Sequence, residues 1–197
     1  NVAMLSRSPG KSSETKPYFW DPAKGEIDHT AITEADFIIH LAGSGIGDKR
    51  WTAARKKDII DSRVKTADLI RKTVKDKGKK LKAFITISGS NYYGTFTSER
   101  VFSETDPPAD DFLGEVCRLW EEAADRFSGE GARVVKIRTG IVLERKGGVL
   151  SRILTPVRLG IGSSIGSGKQ YVPWIHIDDL CNIFIQAIED QNIKGAY

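Results

Sequence analysis

The sequence predicts an α/β fold: a mostly parallel sheet with helices on both faces. Two observations predict it. Short apolar runs of strand length recur along the 197 residues, and amphipathic helical stretches alternate with them, which implies βα crossovers. Asn1 to Ser6 (NVAMLS) is a short, mostly apolar strand, and Ser8 to Lys16 is a polar loop. Pro17 to Trp20 forms a second short strand, followed by turn chemistry at Asp21-Pro22 and Lys24-Gly25. Asp36 to Leu41 (DFIIHL) is an apolar strand ending at Ala42-Gly43. A basic loop leads into a long helix from about Thr52, where Ile60, Val64, Ala67, Ile70 and Val74 recur at helical spacing. Thr52 is its N-cap and Gly78 its stop. Ala83 to Ser88 (AFITIS) is the next strand. Phe112 to Phe127 is a helix with Val116, Trp120, Ala123, Ala124 and Phe127 on one side, broken by Gly129 to Gly131. Val134 to Arg138 is a strand, Val149 to Leu159 a helix despite Pro156, and a Gly/Ser-rich loop runs to Gly168. Leu180, Ile183, Phe184, Ala187 and Ile188 mark the last amphipathic helix.

Length and composition fit one globular domain over residues 1–197, with residues of about 145–175 forming part of a small lobe. The formal charge of +4 is spread among interspersed acids and bases. It suits an anionic ligand and falls short of a nucleic-acid footprint. Cys117 and Cys181 lie far apart within helical patterns and read as small buried residues of a reducing compartment. No apolar run is long enough to span a bilayer, and no signal peptide opens the chain, so a cytoplasmic location is expected. The three histidines, His29, His40 and His176, lack metal-ligand spacing, and no metal site is expected. His40 reads as a satisfied interior residue.

Open parallel sheets bind ligands beyond the carboxyl ends of their strands. Those ends read Ser6-Arg7, Leu41-Ala42-Gly43-Ser44-Gly45, Ser88-Gly89-Ser90 and Arg138-Thr139-Gly140. Small residues at three successive ends let a flat ligand lie against the backbone. GSGKQ (Gly166 to Gln170) fails as a phosphate loop, because Ser163 stands where the leading glycine belongs and Gln170 where a magnesium-binding hydroxyl belongs. The basic residues Arg55, Lys56, Lys57, Arg63 and Lys65 scatter around a helix beside Asp58, Asp61 and Asp68, so a solvated face with local ion pairs is expected. In PWIHIDDL (Pro173 to Leu180), Ile175 and Ile177 alternate as strand residues, Asp178 is expected to cap the following helix, and His176 to fix the loop.

Four ordered motifs resemble the extended short-chain dehydrogenases/reductases. FIIHLAG resembles that family's fourth-strand motif, ITISGSNYYG its fifth-strand segment, VVKIRTGIVL its sixth strand, and IHIDDL the element before a late helix. DKRWT, DSRVKTADLI and CRLWEEAA together resemble its atypical, nucleotide-sugar epimerase subgroup. The resemblance implies a Rossmann-type doubly wound parallel sheet. It also implies a first strand with a Gly-rich phosphate turn ahead of residue 1, and a substrate lobe continuing past Tyr197. Neither is in the 197 residues, so an N-terminal segment and the rest of the lobe are expected in the natural protein.

By the same resemblance, Leu41, Ala42, Gly43, Ser88, Gly89, Gly140 and Ile141 would line a dinucleotide. Where NAD-selective members place an acid, this chain has Ser6-Arg7-Ser8; arginine matches a phosphate dianion, so NADP(H) is expected over NAD(H), held by Arg7 and Ser6. The family's Tyr-x-x-x-Lys falls on Leu113 and Cys117, and its serine on Gly89, so the usual hydride-transfer groups are replaced. The nearest alternatives are Ser90 and Tyr93, with Tyr93-Gly94 also readable as a structural turn. Arg50, Trp51, Tyr93, Arg158 and Trp174 are the candidate substrate contacts. Two functions stay open. One is an NADP(H)-dependent epimerase or oxidoreductase acting on a small sugar-like or carbonyl substrate. The other is a catalytically weak dinucleotide-binding sensor or interaction protein. A small molecule is the expected partner, with neither nucleic acid nor membrane, and a homodimer is left open.

Overall fold

Strand and helix alternate along the chain as the apolar spacing requires. The computed structural model describes residues 1–8, 15–145, 148–163 and 166–197. Most of the expected polar loop between Ser8 and Lys16 lies outside the described residues, as do 146–147 of the expected lobe and 164–165 of the Gly/Ser-rich loop. In chain order the elements are β1 (Ala3–Ser6), β2 (Lys16–Asp21), β3 (Glu26–Ile27), α1 (His29–Thr33), β4 (Phe37–His40), α2 (Ala53–Asp76), β5 (Ala83–Gly89), α3 (Phe112–Asp125), β6 (Arg133–Thr139), β7 (Ile141–Leu143), α4 (Gly148–Arg158), β8 (Trp174–His176), α5 (Ile177–Glu189) and β9 (Gly195–Ala196). Short 3-10 helices follow β5 (Ser90–Tyr93) and α3 (Arg126–Glu130).

The strands form sheets of order β1-β2-β3, β4-β5-β6-β9 and β7-β8. β1 and β2 pair in parallel, as do β4 with β5 and β7 with β8. The short β3 pairs antiparallel with β2, Trp20 facing Ile27. β1 and β4 are each the outer strand of a sheet. Both show apolar side chains to solvent, Met4 at 48 % exposure and Ile39 at 40 %. The chain packs as two compact units, Asn1–Thr86 with Leu119–Val135, and Ile87–Arg118 with Lys136–Tyr197.

The first unit owns one apolar core. Ile38 of β4, Ala67, Ile70 and Val74 of α2, Phe84 of β5, Ala123 and Ala124 of α3, and Phe127 share a single buried cluster. The rings of Phe84 and Phe127 stack with centroids 3.7 Å apart. α2 begins where Thr52 accepts the amide of Arg55 at 3.2 Å. It ends at Lys77, followed by Gly78 at φ +60°, a left-handed stop that favours glycine. Lys57 and Lys65 both pair with Asp61 on its exposed face, where solvent screens such pairs. That part of the expected solvated face is present. Arg63 is a correction: it is 6 % exposed. The apolar stem and flat guanidinium let it pack inward against Trp120, with Cζ 4.7 Å from the ring centroid. Cys117 is buried, but Cys181 is exposed, contrary to expectation, because it lies on the outer side of α5.

In the second unit, β7 and β8 run in register, Ile141 against Trp174 and Leu143 against His176. Tyr197 closes the edge of β6: its amide donates to Lys136 and its carbonyl accepts from Arg138. α5 is capped differently from the expectation. It starts at Ile177, and His176 is the N-cap, Nδ1 accepting the Asp178 amide at 3.3 Å. Asp178 sits inside the first turn, where its charge faces the positive end of the helix. The sequence pattern placed the cap too late because it placed the first helical residue too late.

α3 is anchored by a residue the sequence reading passed over. The Asp111 carboxylate accepts the Gly114 amide at 2.8 Å, and its other oxygen accepts the amide and hydroxyl of Thr95 at 2.8 and 2.7 Å. Burial opposes its ionisation, yet these donors hold its carboxyl below the usual range. Asp111→Ala removes the cap and the Thr95 tie. It is expected to lower the unfolding free energy by about 1–2 kcal/mol, measurable by urea denaturation of the variant beside the parent.

Candidate functional site

The carboxyl ends of β1 and β4 belong to the first unit. At β1, Ser6 Oγ accepts the Ser8 amide at 3.2 Å, and Arg7 is exposed. At β4 the chain passes from buried His40 to exposed Leu41, half-buried Ala42 and exposed Gly43. The segment beyond Gly43 is tied to α2 and its approach. The Ser44 amide donates to Ser62 Oγ at 2.9 Å, and Arg63 Nη1 donates to the Ser44 carbonyl at 3.1 Å. Arg55 donates to the Gly45 carbonyl and Trp51 Nε1 to that of Ile46. Trp51 thereby has a structural task, while Arg50 is exposed.

Behind this segment lies a buried polar node. His40 is 2 % exposed. The Trp120 indole can only donate, and it points Nε1 at His40 Nδ1, 3.3 Å away. Nδ1 is therefore the acceptor, and the proton sits on Nε2, which donates to Thr66 Oγ1 at 2.9 Å. The Thr66 hydroxyl in turn donates to the Ser62 and Arg63 carbonyls, at 2.8 and 2.9 Å. The Thr86 hydroxyl stands 3.3 Å from Nδ1. His40 is the satisfied interior residue that its place in an apolar strand implies. Burial, and secondly the Arg63 charge, push its pKa down to about 4 from 6.5.

The ends of β5 and β6 belong to the second unit. Ser88 is buried, and its carbonyl accepts from Thr139 Oγ1 at 3.3 Å. Ser90 opens the 3-10 helix that ends at Tyr93. Gly94 follows at φ +107°, and a Cβ there would meet Phe96 at 2.5 Å, which supports the structural side of the Tyr93-Gly94 motif. Tyr93 is also tethered chemically. Arg138 Nη1 donates to its phenol oxygen at 2.8 Å while the guanidinium covers the Tyr92 ring, Cζ 3.6 Å from the centroid. The phenol oxygen accepts this bond, so its own proton is free to point elsewhere. Phe102 stacks on Tyr93 at 5.1 Å. Tyr93, Phe96, Phe102, Pro108 and Asp111 help line a shallow recess of about 500 Å³. Arg158, in the last turn of α4, and Trp174, 64 % exposed on β8, lie on the surface of this unit and not among the residues lining that recess.

The small residues at the strand ends have neighbours of their own. A Cβ on Gly43 would lie 2.9 Å from Arg63 Cζ, one on Gly89 3.4 Å from Cys117 Sγ, and one on Gly140 2.3 Å from the Pro173 carbonyl oxygen. Packing requires glycine at Gly140, where the neighbour is backbone; at Gly43 the neighbour is a side-chain end, and at Gly89 the contact is an ordinary one. The sequence carried no direct signal for Arg63 or Arg138, since a basic residue's burial depends on a partner distant in sequence. Among the described residues no group of three or more His, Cys, Asp or Glu side chains could hold a metal ion, and no helix is long and apolar enough to cross a membrane.

No protein-family model matches the chain. Individual relatives do. The chain is 35% identical over 194 residues to an epimerase family protein of Mycobacterium leprae, covering 98% of this chain and 61% of that one. It is 36% identical over 199 residues to the epimerase family protein SDR39U1 of Homo sapiens, covering 99% and 64%. The crystal structure of human SDR39U1 (isoform 2) with NADPH superposes with a TM-score of 0.83 at 35% identity, over 99% of this chain and 64% of that one. A nucleoside-diphosphate sugar epimerase from Corynebacterium glutamicum superposes at 0.82 with 32% identity, over 99% and 40%. The chain spans about three fifths of the length of these curated relatives. Fold and likeness together define a Rossmann-type protein of the short-chain dehydrogenase/reductase class. Within that class the chain is similar, over nearly all of its own length, to proteins of the epimerase family.

Two measurements check this geometry. The unfolded histidine takes up its proton near pH 6.5 and the buried one near 4. The stability owed to a neutral His40 is therefore full above about pH 6.5 and is lost as the pH falls toward 4. Its size is about 3 kcal/mol, read as the pH-dependent difference in unfolding free energy between the parent and His40→Gln. Gly140→Ala forces β7 from β8 at the Ile141 amide to Pro173 carbonyl bond of 2.8 Å. It should cost about 1–3 kcal/mol, whereas Gly47→Ala, with open space around it, should stay within about 0.5 kcal/mol.

Proposed function

We propose that the chain is an NADP(H)-binding protein of the nucleotide-sugar epimerase/reductase type, acting on a small sugar-like or carbonyl substrate. The observation that carries this reading is Arg7, exposed immediately beyond the carboxyl end of parallel strand β1. There a guanidinium fork suits a ribose 2′-phosphate, and an acid would suit free ribose hydroxyls. The superposable human relative crystallised with NADPH supports the same cofactor. Ser6 and Arg7 would hold the phosphate. Leu41, Ala42 and Gly43 in the first unit, and Ser88, Gly89, Gly140 and Ile141 in the second, are the further cofactor contacts. When bound, the nicotinamide supplies hydride chemistry.

Tyr93 is the proton-transfer group of this reading. Its phenol oxygen already accepts from Arg138, which orients the ring and leaves the phenolic proton available. Ser90 is the second candidate. Arg50, Trp51, Arg158 and Trp174 are the substrate contacts, and the solved uronic-acid epimerase relatives bind UDP-glucuronic acid and NAD, at an identity that establishes the fold alone. A second reading has its own observation. Leu113 and Cys117, on the family's Tyr and Lys positions, are both buried, at 8 % and 5 % exposure. This favours a dinucleotide-binding sensor with little catalysis.

Titrating the full-length polypeptide with NADPH and NADH by calorimetry tests the cofactor. NADPH should bind more tightly, and Arg7→Ala should weaken it about ten- to a hundredfold while leaving NADH unchanged. Equal affinities, or no loss in the variant, would refute the assignment. Reduced-cofactor absorbance followed against nucleotide sugars and carbonyl compounds, with Tyr93→Phe alongside, separates enzyme from sensor.

A further inference from the structure

We infer that Arg63 is a positioning residue for the dinucleotide: it braces the segment that leaves β4 in the shape against which the cofactor lies. The inference rests on the cofactor reading above, in which Leu41, Ala42 and Gly43 are contacts. Arg63 itself touches no ligand in this scheme.

The brace has three parts. One guanidinium nitrogen, Nη1, donates both to the Ser44 carbonyl at 3.1 Å and to the Ile59 carbonyl at 2.9 Å, so it joins the segment to the first half of α2. The flat of the guanidinium packs on Trp120. Its Cζ occupies the space beside Gly43, 2.9 Å from where a Cβ would stand. Ser62, the preceding residue, completes the hold by accepting the Ser44 amide. The two backbone polar groups of Ser44 are thus both taken by consecutive residues of one helix. A charged group 6 % exposed is costly to bury. It is retained where its flat face does something a compact ammonium cannot, here stacking on an indole while one nitrogen donates to two carbonyls. Gly43 and Arg63 form one lock: the glycine leaves the room and the guanidinium fills it.

The test compares Arg63→Met, Arg63→Lys, Gly43→Ala and Thr73→Val in the full-length polypeptide. Thr73 is a buried α2 residue bonded to the Leu69 carbonyl, away from the segment, and controls for lost stability. The readouts are NADPH affinity by calorimetry, amide hydrogen exchange across Ala42 to Ile46, and the thermal midpoint. Arg63→Met is expected to raise exchange in that segment and weaken NADPH about tenfold or more. Arg63→Lys should keep the fold and still lose affinity. Gly43→Ala approaches the same contact from the other side and should reproduce both effects, which keeps the inference testable if Arg63→Met does not fold. Thr73→Val should lower the midpoint and leave both binding and local exchange unchanged. Parental affinity in Arg63→Lys, or an equal loss in Thr73→Val, would overturn the inference. If the parent binds no NADPH, the cofactor reading fails. The brace then stands or falls on exchange alone, and unchanged exchange in Arg63→Met refutes it.

Discussion

The first unit is organised around an imidazole that has been taken out of water and kept neutral. His40 lies on β4, Thr86 on β5, Thr66 and Arg63 on α2, and Trp120 on α3. Each of these elements needs the node in one arrangement, because a buried polar atom that loses its partner costs about 1–3 kcal/mol. The apolar cluster of Phe84, Phe127, Ile70 and their neighbours supplies the larger driving force, but it is tolerant of small shifts. A hydrogen-bonded ring is not. The node therefore sets the register of α2 against β4, and through α2 it sets the segment beyond Gly43.

A similar division of labour runs through the strand ends. Small side chains there serve two surfaces at once. On one side Gly43, Gly89 and Gly140 accept a guanidinium, a thiol and a proline carbonyl. On the other they leave the backbone bare. At Gly140 the Pro173 backbone on the inner side explains the residue type without any ligand. The functional reading consequently rests on what is charged and exposed nearby, Arg7 above all, and on the tethered phenol of Tyr93.

Much of the fold was legible because its main elements carry strong local signals. α2 declared itself by the 3.6-residue spacing of its apolar positions and by Thr52 and Gly78 at its ends. β4, β5 and β6 declared themselves as short apolar runs bounded by turns. The family motifs then ordered them. What escaped was whatever depends on residues far apart in sequence. β7 and β8 are three residues each and pair across some thirty positions, so neither has a pattern of its own. α1 is five residues long, with one buried side chain. Arg63 looked like one more charge on a basic helix until Trp120, distant in sequence, came to lie over it. The same holds for the site. Arg7 was readable from its place after a strand, whereas Arg138 reaching Tyr93 required β6 and the 3-10 helix to be placed in space. Asp111 did carry a local cue, an acid directly before an apolar helical run.

β1 and β4 each end a sheet, with a row of backbone donors and acceptors on the open side and greasy side chains such as Met4 and Ile39 beside it. Such a rim is a template for strand addition. An added extended segment would pair with the backbone of such a strand and pack on side chains such as these, so Met4 and Ile39 mark where β1 and β4 can be extended.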